Sequence, residues 1–358
     1  MPLLSLVHGL RVHALALVGL LCTLTFAGAA PLPHIVILTT GGTIAGKADP
    51  RSQAAYNAGQ VSPQDLIAAV PGLDKVARLS AEAIASIGSQ DMNEAVWFKL
   101  AQRIRALVAQ DDVDGIVVTH GTDTLEETAI FLDMVVGGSK PVVIVGAMRP
   151  STALSADGPL NLLEAVMVAG APAARGRGVL VVLNDVIHGA SDVTKTNTTE
   201  VQTFRSPNFG PVGHVTPNGV GFFRAPNPRG PLYVLPAAPP LPRVSVIYAH
   251  AGMDAQDVRT VIAGGAKGIV LAGVGDGNAS QATIAALGEA VKAGVVVVRS
   301  SRTLSGPVMR NIEVSDDTYG FVASSFLNPA KARVVLQVLL ANGISTPAAV
   351  QTAFDSAP

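Results

Sequence analysis

The sequence is poor in cysteine, in charge and in the motifs that metal and nucleotide sites require. Cys22 is the only cysteine among 358 residues, and charged residues make up only 14% of the chain. The formal net charge is −1, which gives no strongly basic face for binding a nucleic acid. Neither a His-Glu-x-x-His sequence nor a phosphate-binding loop is present. The sequence therefore predicts no nucleic-acid partner, no metal and no cofactor.

The apolar run near the N-terminus is short. Residues 14–26 are mostly apolar, but they fall short of the ~20 residues that a membrane-spanning helix needs. Arg11 precedes the run and small residues follow it at 27–29, as is typical of a secretory signal peptide. Leu21 is not the small residue that lipid attachment to Cys22 would require. We expect residues 1–29 to be removed, leaving a periplasmic or secreted protein without a membrane anchor.

Apolar strand-like runs alternate with helical patterns along the rest of the chain. Hydrophobic residues make up 49% of it, and the length exceeds what one core comfortably accommodates. The alternation predicts an α/β fold with a larger N-terminal domain, built on a doubly wound and mostly parallel sheet, and a smaller C-terminal α/β domain. Prolines and glycines accumulate over residues 207–242, which indicates irregular structure. We predict domains at 30–225 and 243–358, joined by a linker at 226–242.

Two strand-like runs end in turns rich in hydroxyl groups. Residues 116–124 (IVVTHGTDT) and residues 35–46 (IVILTTGGTIAG) both pass from β-branched apolar residues into threonine and glycine. Thr124 is followed three residues later by Glu127, the spacing of a helix capping box. If both strands lie in one parallel sheet, their turns meet at its carboxyl edge, where ligands bind.

These turns carry candidate groups for amide hydrolysis, which needs a nucleophile, a base and donors for an oxyanion. Thr43 and Thr122 are the candidate hydroxyls, Lys195 is a candidate base and Asp123 could orient it. Tyr56 could serve the other threonine. Taken singly, each of these residues fits an ordinary turn, cap or loop position. His120 is better explained as a packed or hydrogen-bonded residue than as a catalytic one, because no Asp and Ser pair clearly with it.

Several longer motifs resemble those of one family. They are residues 40–46 (TGGTIAG), 88–93 (GSQDMN), 119–124 (THGTDT), 145–151 (VGAMRPS) and 192–197 (DVTKTN), followed by 272–275 (AGVG), 298–301 (VRSS) and 319–324 (YGFVAS). In this order they resemble the bacterial exported, or type II, L-asparaginases over nearly the whole chain after the signal. The resemblance implies hydrolysis of L-asparagine to L-aspartate and ammonia through a threonine acyl-enzyme.

The resemblance also implies roles for individual residues. Thr43 matches the primary nucleophile, with Tyr56 beside it on a mobile loop, whereas Thr122, Asp123 and Lys195 match a second catalytic cluster. Further matches are to substrate-binding positions: Ser89, Gln90, Thr122 and Asp123 in the same subunit, and Asn278 and Glu313 from a neighbouring subunit, with Glu313 also assigned to catalysis. Shared sites of this kind imply a homotetramer, a dimer of intimate dimers. Which threonine attacks first stays open.

Three alternatives remain at this point. A dual-specificity glutaminase-asparaginase differs by a pocket that admits one more methylene, although Gln90 and Asn278 favour asparagine. A periplasmic amino-acid binding protein without hydrolytic activity would be expected to lack a catalytic position, and every position is occupied. The amidase subunit of a tRNA-dependent amidotransferase shares these motifs, but the signal peptide and the absence of a basic face argue against it.

Overall fold

The computed structural model describes residues 31–49, 52–57, 61–226 and 230–356, and only the backbone for 47–49 and 52–57. The predicted signal peptide, residues 1–29, lies outside the described residues. The strands of the described chain are β1 (His34–Gly41), β2 (Lys47–Asp49), β3 (Ser52–Asn57), β4 (Arg78–Ile87), β5 (Gly115–Thr119), β6 (Val142–Val145), β7 (Val179–Leu183), β8 (Val186–Gly189), β9 (Thr194–Lys195), β10 (Phe204–Arg205), β11 (Gly213–Thr216), β12 (Gly219–Phe222), β13 (Val244–Tyr248), β14 (Gly268–Gly273), β15 (Val296–Ser301) and β16 (Val322–Ala323).

The α-helices alternate with the longer strands. They are α1 (Pro63–Ala68), α2 (Glu94–Val108), α3 (Leu125–Val135), α4 (Gly158–Gly170), α5 (Gln256–Ala263), α6 (Gln281–Lys292), α7 (Asp316–Tyr319), α8 (Pro329–Ala341) and α9 (Pro347–Asp355). Side-chain caps begin α1 and α2, where the Ser62 hydroxyl accepts from the Asp65 amide and Asn93 accepts from the Val96 amide. No helix of the described chain is long and apolar enough to cross a bilayer.

The larger sheet has eight strands in the order β12-β11-β8-β7-β6-β5-β1-β4. The five strands from β7 to β4 pair in parallel, and β8, β11 and β12 extend the sheet antiparallel. Strand β4 lies on one side of β1, whereas β5, β6 and β7 follow one another on the other side. The direction in which the chain adds strands therefore reverses between β1 and β5, and ligands of such sheets bind at the carboxyl ends of the strands flanking this point.

Helices cover both faces of this sheet. The buried side chains of α2 and α3 pack on one face, where the rings of Trp97 and Phe131 stack with centroids 4.7 Å apart. Helix α4 packs on the opposite face through residues such as Leu162 and Val166. The strands between them are almost entirely buried runs of Val, Ile and Leu, as expected for parallel strands covered on two sides.

The second sheet has four parallel strands in the order β13-β14-β15-β16. Helix α8 lies against β13, β14 and α3. One hydrophobic cluster therefore contains Val118 of the large sheet, Val270 of the small sheet and Leu336 of α8. The prediction of a large, mostly parallel sheet followed by a smaller α/β unit is confirmed.

The region 207–242 is more regular than the sequence indicates. Strands β11 and β12 form an antiparallel hairpin, with Thr216 paired to Gly219, which adds to the edge of the large sheet. These short strands are rich in glycine, and the residues of β12 are only partly buried. They consequently lack the apolar alternation by which a strand is usually recognised.

Candidate active site

Two turns meet at the carboxyl edge of the large sheet. Strands β1 and β5 are neighbours with Thr39 paired to Thr119, so the turns that follow them emerge side by side. Thr43 begins a short 3-10 turn after β1 and is buried. Thr122 lies in the turn between β5 and α3 and is also buried. The predicted convergence of the two strand ends is thus present.

Glycines allow the two turns to touch. Gly42 has φ +78°, a conformation that side-chain-bearing residues rarely adopt, and a Cβ built on it would lie 2.4 Å from the Gly121 nitrogen. A Cβ on Gly121 would lie 2.6 Å from Oγ of Ser89. The backbone of the Thr43 turn therefore packs directly on that of the Thr122 turn, and the turn after β4, which carries Ser89, packs on the other side.

Lys195 completes a cluster with two residues of the β5 turn. Its Nζ donates to Oγ1 of Thr122 at 2.9 Å and to Oδ1 of Asp123 at 2.6 Å. The Lys195 side chain is 19% exposed and that of Asp123 is 55% exposed, so Asp123 faces the opening and Lys195 lies behind it. Strand β9 holds Lys195 in place through its antiparallel pairing with Phe204 of β10.

Ser89 fixes the turn that carries Asp123. Its buried hydroxyl accepts a hydrogen bond from the Asp123 amide at 3.1 Å, and its carbonyl accepts one from Oγ1 of Thr124 at 2.8 Å. Thr124 does precede α3, but its side chain caps no amide of that helix. The predicted capping box is therefore wrong, because the Ser89 carbonyl takes the hydroxyl that the cap would have used.

Gln90 is exposed beside this turn. A Cβ added to Gly88 would lie 2.4 Å from Oε1 of Gln90, which shows that the Gln90 amide folds back over the glycine. Tyr56 lies in β3, whose backbone pairs with β2 at Ala48 in the hairpin that follows the Thr43 turn. The Tyr56 side chain lies outside the described part of the chain, and its role stays a prediction.

His120 is a structural residue, as the sequence indicated. It is fully buried, its Nδ1 lies 2.7 Å from the Gly121 carbonyl and its Nε2 lies 2.9 Å from Oγ1 of Thr128. Because a carbonyl only accepts, Nδ1 carries the proton and Nε2 accepts from Thr128, which in turn accepts from Nε1 of Trp97 at 2.8 Å. Burial lowers the pKa of His120 to about 4, so the ring is neutral near pH 7.

Asn278 and Glu313 lie at the end of the small sheet and contact each other. Nδ2 of Asn278 donates to Oε2 of Glu313 at 3.0 Å, and Oδ1 of Asn278 accepts from the Ala279 amide. Within the described ranges, neither side chain hydrogen-bonds to Thr43, Ser89 or the Lys195 cluster. Among the described side chains, the structure therefore brings Thr43, Ser89, Gln90, Thr122, Asp123 and Lys195 together and leaves this pair without a hydrogen bond to them in the single chain.

Sequence reasoning missed a buried network behind Lys195. Nδ2 of Asn328, at the start of α8, lies 3.2 Å from Oε2 of Glu126 in α3 and 3.4 Å from Oγ1 of Thr194. The Lys331 ammonium, also buried, lies 3.5 Å from the same Glu126 oxygen, and burial lowers its pKa. Asn328 preceding a proline indicates a helix cap, but the bridge to two other elements has no local signal.

The cluster consists of hydroxyls, a carboxylate and an amine. Across the residues that the structure describes, no group of three or more His, Cys, Asp or Glu side chains is placed to hold a metal ion. A hydroxyl that contacts an amine, with a carboxylate pairing to that amine, is the type of arrangement that moves protons to and from an attacking oxygen.

Comparison with known proteins gives one family. The model "Asparaginase, N-terminal" matches residues 34–228 and "Glutaminase/Asparaginase C-terminal domain" matches residues 243–354. The chain is 49% identical over 343 residues to a probable periplasmic L-asparaginase of Haemophilus influenzae, covering 94% of this chain and 97% of the relative. It is 47% identical to L-asparaginase 2 of Escherichia coli, covering 88% and 91%. It is 43% identical to a glutaminase-asparaginase of Pseudomonas fluorescens, covering 86% of each.

Proposed function

The chain belongs to the asparaginase family, and we propose that Thr43, Thr122, Asp123 and Lys195 carry out its reaction, the hydrolysis of L-asparagine to L-aspartate and ammonia. The observation that supports this assignment most strongly is the 2.9 Å contact between Nζ of Lys195 and Oγ1 of Thr122. The contact lies beside the turn of Thr43, so a substrate amide between the two turns would meet both hydroxyls.

The first half of the reaction forms an acyl-enzyme. The Thr43 hydroxyl attacks the side-chain amide carbon, a C–O bond forms, and the threonine proton passes to a base. Backbone N–H groups of the glycine-rich turns around Gly42 and Gly121 stabilise the oxyanion. The C–N bond then breaks, and the nitrogen takes up a proton and leaves as ammonia.

The second half releases the product. Water attacks the threonine ester, and the C–O bond to the enzyme breaks to give L-aspartate and the free hydroxyl. We assign proton transfer to Thr122, Lys195 and Asp123, since the lysine contacts both other side chains. Lys195 must give up its proton to act as a base, and the Thr122 hydroxyl lies within hydrogen-bond distance of its nitrogen.

The substrate is a zwitterion and requires donors for its carboxylate and acceptors for its ammonium group. Ser89 and Gln90 lie beside Asp123, and a carboxylate that is half exposed at the opening is suited to hold an ammonium group.

Asn278 and Glu313 complete the amino-acid pocket from a second subunit. We therefore propose a homotetramer made of two dimers. Support comes from Met309 and Ile312, apolar residues near Glu313 that are 48% and 64% exposed in the single chain.

The assignment is tested with purified protein and an ammonia-release assay. Thr43→Ala and Thr122→Ala are each expected to lower kcat by at least about a thousandfold, since residues of one catalytic unit act together. Thr352→Ala, which removes an exposed hydroxyl from α9, is the matched control. Mass spectrometry of acid-quenched enzyme identifies the acylated residue. Acylation of Thr122 in place of Thr43 would reverse the order of attack, and full activity of both variants would refute the site.

Glutamine is the rival substrate because some relatives are named glutaminase-asparaginase. One extra methylene changes specificity by only about 1 to 3 kcal/mol. We propose a preference for asparagine, supported by Gln90 and Asn278. Steady-state kcat/KM on both amides decides between the two, and a higher value for glutamine contradicts the preference.

Export to the periplasm is proposed from residues 1–29 and from a relative named as periplasmic. The test is N-terminal sequencing of the mature protein from a cell fraction. A mature chain that begins near residue 30 supports cleavage, and an intact cytoplasmic chain contradicts it.

Size-exclusion chromatography with light scattering tests the proposed tetramer. A monomer with full activity would contradict a site shared between subunits.

A further inference from the structure

Arg299 forms a fully buried ion pair with Asp316 in the C-terminal segment. Both side chains are 0% exposed, and two short hydrogen bonds join them, Nε to Oδ1 at 2.6 Å and Nη2 to Oδ2 at 2.7 Å. Arg299 follows a run of four valines that enters β15. A charged residue at such a position has to be fully paired, because an isolated buried charge is very costly.

The remaining donors of Arg299 hold two different loops. Nη1 donates to the carbonyls of Asp276 and Gly277, at 2.8 and 3.3 Å, in the loop after β14. Nη2 donates to the Met309 carbonyl at 3.0 Å, in the loop before α7. The guanidinium therefore directs every N–H that it has to a partner, and it ties both loops to Asp316.

Further contacts join the same two loops. The Met309 amide donates to Oδ1 of Asp276 at 2.7 Å. Oδ2 of Asp316 accepts from the amide of Asn311, which has φ +59°. Gly277 also belongs to this contact, since its φ is +70° and a Cβ on it would lie 3.1 Å from Nη1 of Arg299. The positions of both loops are thus set by one buried pair of charges.

Each loop carries one residue of the proposed amino-acid pocket. Asn278 directly follows Gly277, and its amide and carbonyl both pair with Val274, so it moves with its loop. Glu313 lies between Asn311 and the buried Val314. Their side chains meet at 3.0 Å across the gap between the loops. A shift of either loop by 1 Å would break that contact.

We infer that Arg299 and Asp316 are positioning residues for the Asn278–Glu313 pair, and that they control how tightly the enzyme binds its substrate while leaving the chemical step largely unchanged. This inference rests on the proposed function, because it needs Asn278 and Glu313 to contact substrate in the assembled enzyme. Arg299 itself is buried and touches no substrate.

The test is a double-mutant cycle between Arg299→Lys and Glu313→Gln in the full-length mature enzyme. Lysine keeps the positive charge but cannot form the forked contacts. Arg299→Lys is expected to raise KM for asparagine about tenfold and to change kcat less than about threefold. In the Glu313→Gln variant, the additional Arg299→Lys substitution should raise KM less than about twofold, because the side chain that Arg299 positions has already been altered.

Two further variants keep the test decisive. Arg103→Lys is the matched control, because it removes a forked arginine–carboxylate contact with Glu82 that lies in the N-terminal domain. It is expected to leave KM unchanged. If Arg299→Lys folds poorly, Asp276→Ala removes the acceptor for the Met309 amide, together with a second carboxylate oxygen that has no hydrogen-bond partner in the described chain, and should still raise KM. Thermal unfolding checks that each variant is folded.

The outcomes distinguish failure of the positioning role from failure of the proposed function. An elevated KM in Glu313→Gln with an unchanged KM in folded Arg299→Lys would overturn the positioning role and leave the proposed function intact. The positioning role would also be overturned if the double variant raised KM by the product of the two single-variant factors. A fall in kcat as large as the rise in KM would overturn it as well. An unchanged KM in both Glu313→Gln and Asn278→Ala would remove these residues from the pocket, and the inference with them.

Discussion

The ammonium nitrogen of Lys195 lies 2.9 Å from the hydroxyl oxygen of Thr122, although 73 residues separate the two along the chain. The lysine also pairs with Asp123, so one ammonium group contacts both the hydroxyl and the carboxylate. We therefore expect the hydroxyl and the amine to act together in proton transfer.

Lys195→Met should lower kcat for asparagine by about a hundredfold to ten-thousandfold, the usual contribution of a positioned acid or base. The variant removes both the base and the donor that orients Thr122. Ammonia release under saturating substrate measures the loss. Lys292→Met is the matched control, because Lys292 pairs with Glu289 at 2.8 Å on an exposed helix face and touches no proposed site residue. Equal losses in the two variants would contradict the role of Lys195.

Gly42→Ala should destabilise the protein by more than about 2 kcal/mol, since the variant adds backbone strain to a direct collision with the backbone of Gly121. Gly72→Ala is the control, because Gly72 has a similar φ of +81° but has nothing within 4 Å of an added Cβ. That change should cost only about 1 to 2 kcal/mol. Urea unfolding of both variants measures the difference, and equal costs would show that the close approach of the two turns is unimportant.

Acid should destabilise the fold through two buried histidines. Burial lowers the pKa of His120 and of His188 to about 4 in each case, below the ordinary value near 6.5 of an unfolded chain. As the pH falls below 6.5 the unfolded chain binds protons that the folded chain does not, so stability falls until the pH reaches about 4. Each histidine should contribute a loss of about 2 kcal/mol between pH 7 and pH 5.

The measurement is the free energy of unfolding at pH 7, 6 and 5 for the wild type and for His188→Gln. The variant should lose less stability over this range, because it lacks one of the two titrating groups. Identical pH slopes in the two proteins would contradict the assignment for His188.

Glu164→Gln should stabilise the protein at alkaline pH. Burial, with a further contribution from Asp185, raises the pKa of Glu164 to about 8. The folded chain keeps this proton up to about pH 8, whereas the unfolded chain loses it near the ordinary glutamate pKa of 4.5, so stability falls progressively as the pH rises from about 4.5 to 8. Glutamine has the shape of the protonated acid and keeps an acceptor for the Asp185 amide. Unfolding at pH 5 and pH 9 should show an advantage for the variant that grows with pH.

The strand ends were predictable from sequence because their signals are local. β-Branched runs identify β1 and β5, and the glycines at 42 and 121 mark the turns. Both the convergence of these turns and the parallel sheet followed from that pattern. The packed role of His120 was also predictable, since a lone histidine without partners seldom acts in catalysis.

Other features depend on contacts that no local pattern encodes. Thr124 has the spacing of a cap, yet the Ser89 carbonyl competes for its hydroxyl from a different turn. The hairpin of β11 and β12 is short and rich in glycine, so its sequence lacks a clear apolar alternation. The bridge from Asn328 to Glu126 and Thr194 joins residues more than one hundred positions apart. The roles of Ser89, Gln90, Asn278 and Glu313 came from family resemblance, and the roles of all the proposed site residues stay predictions.

The Asn328 bridge has a consequence for how this enzyme can change. The proposed nucleophile, base and orienting acid all lie before residue 200, yet the amide that ties Glu126 to the strand of Lys195 comes from the start of α8. We therefore expect residues 34–228 alone to be impaired as a catalyst. Exchange of the C-terminal segment between distant relatives should impair turnover even where both halves fold. We therefore expect the two segments to have evolved together.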